Sequence, residues 1–282
     1  MLPAEFRYRA PRSVEETLEI LASRDDVKLL AGGQSLVPLL KARLARPSLL
    51  VDLRNLEALR YIRVEGATIR IGALTRYRDL VEACELTGGA GVLAQAARVV
   101  GDAQVRNLGT IGGSLAHADP AADVPAAMLA LDGTLLARGP QGEREIAVED
   151  FFLGPWMTAL GPDEILLEIR VPATRGSGAY EKLAQPASGF ALVGVAAVVD
   201  PALDHAPVRL AVTGVGPAPV RLHGVEERLT GVELNRPTIA EACSGGGAEV
   251  SEPQSDIHAS AEYRRAMTEV LAGRAILRAA GL

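Results

Sequence analysis

Aromatic side chains are scarce: Phe, Trp and Tyr make up 4% of the 282 residues, with a single tryptophan. Any core must therefore be built from Leu, Val, Ile and Ala. Cysteine is scarcer still, and Cys84 and Cys243 match neither a disulfide framework nor a metal-binding spacing. The simplest reading makes both of them buried small apolar residues. Two thiols also fall short of the four that an iron–sulfur cluster takes. The four histidines (His117, His205, His223 and His258) are scattered. Basic residues do not predominate, and a net charge of −6 argues against a nucleic-acid binder. No apolar run approaches the roughly 20 residues of a membrane-spanning helix. The opening residues MLPAEFRYRAPRSVEE lack the apolar stretch of a secretion signal. A reducing, cytoplasmic setting is the expectation.

What is present is apolar bulk, 48% of the chain, enough for one large unit or two domains sharing an interface. Helix and strand patterns alternate irregularly, and no internal repeat is evident. Ser13 with Glu16 reads as a capping box opening a helix through Leu18 and Leu21. VKLLAGG reads as a strand running into a glycine turn, and SLLVDL as a second buried strand. IRVEGATIRIGAL alternates around Glu65-Gly66 as a hairpin does. Thr75 is placed to cap a helix through Leu80 and Val81, and a small-residue helix is expected from Gly91 to Val100. VPAAMLALDGTLLAR reads as a helix, an Asp-Gly turn and a strand, with REIAV as its hairpin partner. EILLEIRVP is a strand stopped by Pro172, and TRGSG (174–178) is the best linker. FALVGVAAVVD and VRLAVTGVG follow as strands, and a helix closes the sequence from about Ser260 to Ala280. This is an α+β pattern divided near residue 175.

Two glycine motifs stand out. LLAGGQSLVPLL (29–40) and RNLGTIGGSLAHADPAAD (106–123) each carry a Gly-Gly pair followed within two residues by serine. Glycine lets a backbone approach a ligand without a Cβ in the way, so two such turns can aim N–H groups and hydroxyls at a pyrophosphate. Neither matches the Rossmann fingerprint or the P-loop. Taken alone, the residues point to a phosphorylated or dinucleotide cofactor.

With AGGQSLVPLLKARLARPSLLVDL, the motif at 106–123, DEILLEIRVP, YEKLAQPASGFALVGVAAVV and the tail SAEYRRAMTEVLAGRAILRA in that order, the sequence resembles the FAD-binding medium subunits of carbon monoxide dehydrogenase-type molybdenum hydroxylases. It is similar also to the FAD domain of xanthine dehydrogenases. The resemblance covers essentially the whole chain. It implies a vanillyl-alcohol-oxidase-like (PCMH-type) FAD-binding fold over 1–175, with α/β subdomains of about 1–57 and 58–175. A C-terminal α+β domain would occupy 176–282. Ala31, Gly32, Gly33, Gln34 and Ser35 match the family's first FAD-contacting loop, with Leu29, Leu30 and Leu36 on its shoulders. Thr110, Ile111, Gly112, Gly113 and Ser114 match the second, and Val100 precedes it within the same cofactor set. Asp123, Leu166 and Lys182 fall at positions that contact FAD in xanthine dehydrogenase relatives.

Each of these has a structural alternative. Asp123 would serve equally as a helix N-cap, Leu166 as core, and Lys182 as a solvated lysine. His117 reaches either the cofactor edge or only its own loop, and Arg106 either a phosphate or a surface ion pair. Phe151, Phe152 and Trp156 read as core or subunit-interface anchors. The sequence departs from the carbon monoxide dehydrogenase pattern twice. Gln34 stands where that enzyme's medium subunit has histidine, which excludes a histidyl–flavin bond in this loop and implies non-covalent FAD. Phe190 stands where members often carry a tyrosine near the isoalloxazine.

The function implied is electron transfer within a heterohexamer. Electrons would arrive from a small subunit with two [2Fe-2S] clusters beside a large molybdopterin-binding subunit, and leave for an external acceptor. No catalytic acid, base or metal ligand is expected in this chain. A free-standing FAD-dependent oxidase or reductase of the same fold is the alternative.

Overall fold

A computed structural model describes residues 2–23, 26–200 and 208–282. His205 lies outside them. The chain opens with β1 (Arg7–Arg9), α1 (Val14–Ala22), β2 (Val27–Leu30), α2 (Leu36–Lys41) and β3 (Leu49–Asp52). The three strands form a parallel sheet in the order β1-β3-β2. Ser13 caps α1 through the Glu16 amide, as its sequence suggests.

Next come β4 (Ile62–Glu65), β5 (Thr68–Gly72), α3 (Tyr77–Glu82), α4 (Gly91–Arg98), α5 (Ala103–Leu108), α6 (Ile111–His117), α7 (Asp123–Ala130), β6 (Thr134–Gly139), β7 (Gly142–Ala147), β8 (Phe152–Gly154), β9 (Met157–Thr158) and β10 (Ile165–Pro172). Strands β4-β5-β10-β6-β7 make an antiparallel sheet, and β8 and β9 a small separate hairpin. Strand β10 carries apolar residues on both faces, and both are covered. Leu166, Ile169 and Val171 face one cluster with α4, α6 and α7, whereas Ile165 and Leu167 join β3 and the 53–59 segment.

The remainder is β11 (Ser177–Ala184), β12 (Ala191–Val199), β13 (Val208–Thr213), β14 (Val220–Arg221), α8 (His223–Arg228), α9 (Arg236–Cys243) and α10 (Ala261–Ala280). Its four strands form an antiparallel sheet in chain order. One face packs against α8, α9 and α10. On the other, Tyr180, Ala196, Val198 and Ala211 enter the same core as α4 and α7. Among the described residues no helix is long and apolar enough to cross a membrane.

Several local expectations are revised. Thr75 does not cap α3, whose N-cap is Arg76; its hydroxyl instead donates to the Tyr61 carbonyl. The helix expected to reach Val100 ends at Arg98. TRGSG is not a free linker, since Ser177 and Gly178 already belong to β11. A Cβ at Gly178 would lie 2.4 Å from the Gly89 carbonyl oxygen, and one at Gly176 would lie 2.1 Å from that of Val199. Cys84 is exposed, and only Cys243 is buried. Arg106 makes no ion pair among the described residues. Its guanidinium donates to the Val100 and Gly101 carbonyls and so holds the turn between α4 and α5.

The second glycine motif is a helix rather than a loop. Thr110 is the N-cap of α6, its hydroxyl accepting from the Gly113 amide. A Cβ at Gly112 would sit 2.6 Å from both the Cβ and the carbonyl oxygen of Ala73, just past β5. Glycine there serves contact between helix and sheet. Gly112→Ala should cost about 1–3 kcal/mol through overpacking. Gly273→Ala in α10, where a new Cβ meets open space, should gain about 0.5–1 kcal/mol. Urea unfolding of the two variants tests the contrast, and a Gly112→Ala as stable as the wild type would contradict the packing role.

Candidate functional site

The site forms where the two glycine motifs meet. Strand β2 delivers its last leucines, Leu29 and Leu30, into the loop 31–35, which turns into α2. Gly32 lies directly on the other motif, as a Cβ there would fall 2.2 Å from the Leu108 carbonyl oxygen and 2.7 Å from the Gly109 Cα. One at Gly113 would fall 3.5 Å from the Ala31 Cβ. Gly33 has φ +72, the left-handed conformation that favours glycine, with Leu30 and Val37 closing on it. Leu36 is half-buried in the first turn of α2.

The backbone hydrogen bonds of the two motifs differ sharply. In the second, the amides of residues 111–114 are committed within the chain. Ile111 donates to Thr75, Gly112 to Ala73, Gly113 to the Thr110 hydroxyl and Ser114 to the Thr110 carbonyl. In the first, no acceptor among the described residues takes the N–H of Gly32, Gly33, Gln34 or Ser35. Four successive donors around a left-handed glycine make a concavity suited to an anion. These residues therefore fit the pyrophosphate of a dinucleotide. The second motif packs on this loop through Gly113 and Ala31, and its Thr110 amide has no acceptor among the described residues.

A buried polar group borders this region. Asp123 is 4% exposed and lies in the first turn of α7, whose N-cap is Ala122, so the capping reading does not hold. Its carboxylate accepts from the Tyr180 hydroxyl at 2.7 Å and from Lys182 Nζ at 2.8 Å. Lys182 also donates to the Val99 carbonyl at 3.1 Å, and its side chain is 7% exposed, so it is not solvated. Val100, half-buried, follows at the same turn. The ion pair thus ties β11 to the C-terminal end of α4 and the start of α7. Burial pushes the Asp123 carboxyl above its usual range, while the Lys182 ammonium and the Tyr180 hydroxyl draw it back.

The other expected residues are more dispersed. Leu166 is buried in the core shared with Ile111 and Leu115, so its position is accounted for by packing. His117, in the last turn of α6, is half-buried, and burial lowers its pKa, which favours the neutral imidazole. Phe190 is 50% exposed on a tight loop where Gly189 has φ +72. The next residue, Ala191, donates to Ala121 in the connection between α6 and α7. That connection also accepts from Trp156 at Ala118 and from Gly214 and Thr213 at Pro120. Of the aromatic trio, Phe151 is fully buried against Phe152, and Trp156 is exposed. Sequence reading missed Tyr180. Its hydroxyl reaches Asp123 past Gly194, where a Cβ would lie 2.2 Å from the Tyr180 oxygen. A glycine on the next strand, diagonal to Tyr180 and opposite Lys182, was its signal.

Replacing Lys182 by methionine strands the Asp123 charge. The expected loss is about 3–5 kcal/mol near neutral pH. A carboxyl whose folded pKa lies above its unfolded value penalises the fold once pH exceeds the unfolded value, and spares it below. The loss in Lys182→Met should therefore shrink as pH falls toward about 4, the ordinary carboxyl value below which the unfolded chain is protonated as well. Urea unfolding at pH 7.5 and pH 5 tests this, and a loss independent of pH would refute it.

Comparison with known proteins agrees with the site. Residues 4–174 match the model of the FAD binding domain in molybdopterin dehydrogenase, and 178–279 match the CO dehydrogenase flavoprotein C-terminal domain. The chain is 39% identical to the carbon monoxide dehydrogenase medium chain of Hydrogenophaga pseudoflava, over 98% of this chain and 97% of that one. It is 37% identical to the nicotine 6-hydroxylase medium subunit of Paenarthrobacter nicotinovorans, over 99% and 98% respectively. Its structure is similar to that of carbon monoxide dehydrogenase from Hydrogenophaga pseudoflava (TM-score 0.94, 38% identity, 100% of this chain and 99% of that one). It is also similar to quinoline 2-oxidoreductase from Pseudomonas putida 86 (TM-score 0.92, 33% identity, 100% and 99%). The chain belongs to the molybdopterin dehydrogenase FAD-binding family, among the flavoproteins of the carbon monoxide dehydrogenase type.

Proposed function

We propose that this chain is the FAD-carrying electron-transfer subunit of a molybdenum hydroxylase complex. The observation that carries the reading is the loop 31–35, with four amide donors lacking acceptors, in a chain that aligns end to end with medium subunits. Ala31–Ser35 would hold the FAD pyrophosphate, with Thr110–Ser114 as the wall that presses the loop into shape. Leu29, Leu30, Leu36, Val100, His117, Asp123, Leu166, Lys182 and Phe190 would line the rest of the cofactor. No histidine occupies the first loop, so binding there is non-covalent. When bound, FAD supplies exchange between one-electron and two-electron partners. The protein's part is to bind it, orient it and keep its surroundings apolar.

The partners would be a large molybdopterin-binding subunit and a small subunit with two [2Fe-2S] clusters, in a cytoplasmic dimer of heterotrimers. The two cysteines of this chain cannot ligate a cluster themselves. The β8–β9 hairpin supports a partner surface: Leu153, Trp156 and Met157 are 62%, 63% and 58% exposed there. Of the two readings open for Phe151, core and interface, burial makes it core. The functional division at about residue 175 follows the two family matches, although the hydrophobic core crosses it. The free-standing oxidase reading has less support, because the C-terminal third matches the flavoprotein family's own C-terminal domain.

Anaerobic reconstitution tests the reading. The purified large and small subunits, with the complex's substrate, should bleach the flavin of this chain. Bleaching with the small subunit left out would refute the electron-relay role. Phe190→Tyr should shift the flavin absorption spectrum or slow or speed its reoxidation, with a thermal midpoint within about a degree of wild type, as expected at a half-exposed loop position. Unchanged optical behaviour would remove Phe190 from the cofactor's surroundings.

A further inference from the structure

We propose that Gln34 is a positioning residue: its side-chain amide fixes the Gly32–Gly33 peptide so that the Gly33 N–H faces the bound pyrophosphate. The inference rests on the FAD reading of the loop and assigns one of its side chains a specific role.

The geometry is local. Gln34 Nε2 donates to the Gly32 carbonyl at 3.0 Å. In a planar trans peptide the carbonyl and the following N–H point in opposite directions. Holding the Gly32 oxygen on one side therefore holds the Gly33 hydrogen on the other. Two following peptides of the loop are fixed by backbone bonds. The Gly33 carbonyl accepts from Val37 at 3.0 Å and the Ser35 carbonyl from Leu39 at 3.2 Å. Among the described residues the Gly32 carbonyl has no donor but the Gln34 amide.

This peptide also needs such a tether more than its neighbours do. It joins two glycines, and glycine populates both signs of φ with similar ease, so the peptide can flip at little cost. Gly33 already sits at φ +72. Gly32 is fixed in place by the Leu108–Gly109 backbone, but that contact sets the position of its Cα and not the direction of its carbonyl. The side chain of Gln34 supplies the missing constraint. Its reach is set by its length, because the donor must fold back across two residues.

The test is titration of the full-length apoprotein with FAD and, separately, with ADP, which shares the pyrophosphate but lacks the flavin. Gln34→Met keeps the side chain's length and removes the donor. It should weaken FAD and ADP by the same factor, roughly ten- to a hundred-fold, as expected when one hydrogen bond to a charged group is misdirected. The thermal midpoint of the apoprotein and the spectrum of the FAD-saturated variant should be unchanged. Gln34→Glu, isosteric but without a donor at neutral pH, should lose at least as much. ADP affinity equal to wild type would overturn the proposal. So would a fall of several degrees in the apoprotein midpoint, which would make Gln34 a structural residue only. A wild-type chain that binds neither FAD nor ADP would instead overturn the FAD reading of the loop itself.

Discussion

The structure depends on backbone meeting backbone where side chains are absent. Gly32 rests on Leu108 and Gly109, and Gly112 on Ala73. Gly109 in turn lies under the Tyr77 ring, where a Cβ would fall 2.8 Å from a ring carbon. These contacts bring the parallel sheet at the start of the chain against α6 and the antiparallel sheet. They also hold the 31–35 loop taut, with its amides turned away from any protein acceptor. The glycines that look like ligand contacts are thus largely contacts of the protein with itself. The cofactor surface is their consequence: a loop pressed flat on one side must present its donors on the other.

The second constraint is the Asp123–Lys182 pair. An ion pair this buried is weak evidence for stability, since two charges leave water to form it. Its effect is on arrangement. The single ammonium of Lys182 bridges α4 and α7, and Tyr180 two residues earlier reaches the same carboxylate. Between those two residues of β11, Glu181 pairs with Arg278 of α10. The strand that follows the expected domain boundary is therefore anchored on both sides. The connection between α6 and α7 receives hydrogen bonds from the β8–β9 hairpin, β12 and β13 in the same manner. This junction is thus held by several elements at once.

The sequence by itself determined the element types wherever one period or one turn signal dominated. The Ser13 cap, the Glu65-Gly66 hairpin, the Asp-Gly turn after α7 and the helix capped by Ser260 all follow from local chemistry, and the structure has each of them. The paired glycine motifs also located the site, because close backbone approach needs glycine wherever it occurs. What escaped were mostly short elements: β1, α2, α5, α8, α9, the β8–β9 hairpin and the edge strand β14. A six-residue helix or a two-residue strand carries too few residues to show a period.

Only the tertiary structure decided what each motif residue faces. Local sequence could not distinguish a Gly-Gly turn from a helix start, and Thr110 became an N-cap because Thr75 and Ala73 accept the first amides of α6. Asp123 and Lys182 are 59 residues apart, and nothing in either neighbourhood announces the other. Cys84 and Cys243 have the same composition-level reading, yet one lies exposed beside Glu85 and the other lies buried beneath α10. The physical reason is common to all three cases. A side chain's partner is set by which distant surfaces the core brings together, whereas the conformation of its own backbone is set mainly by its neighbours in sequence.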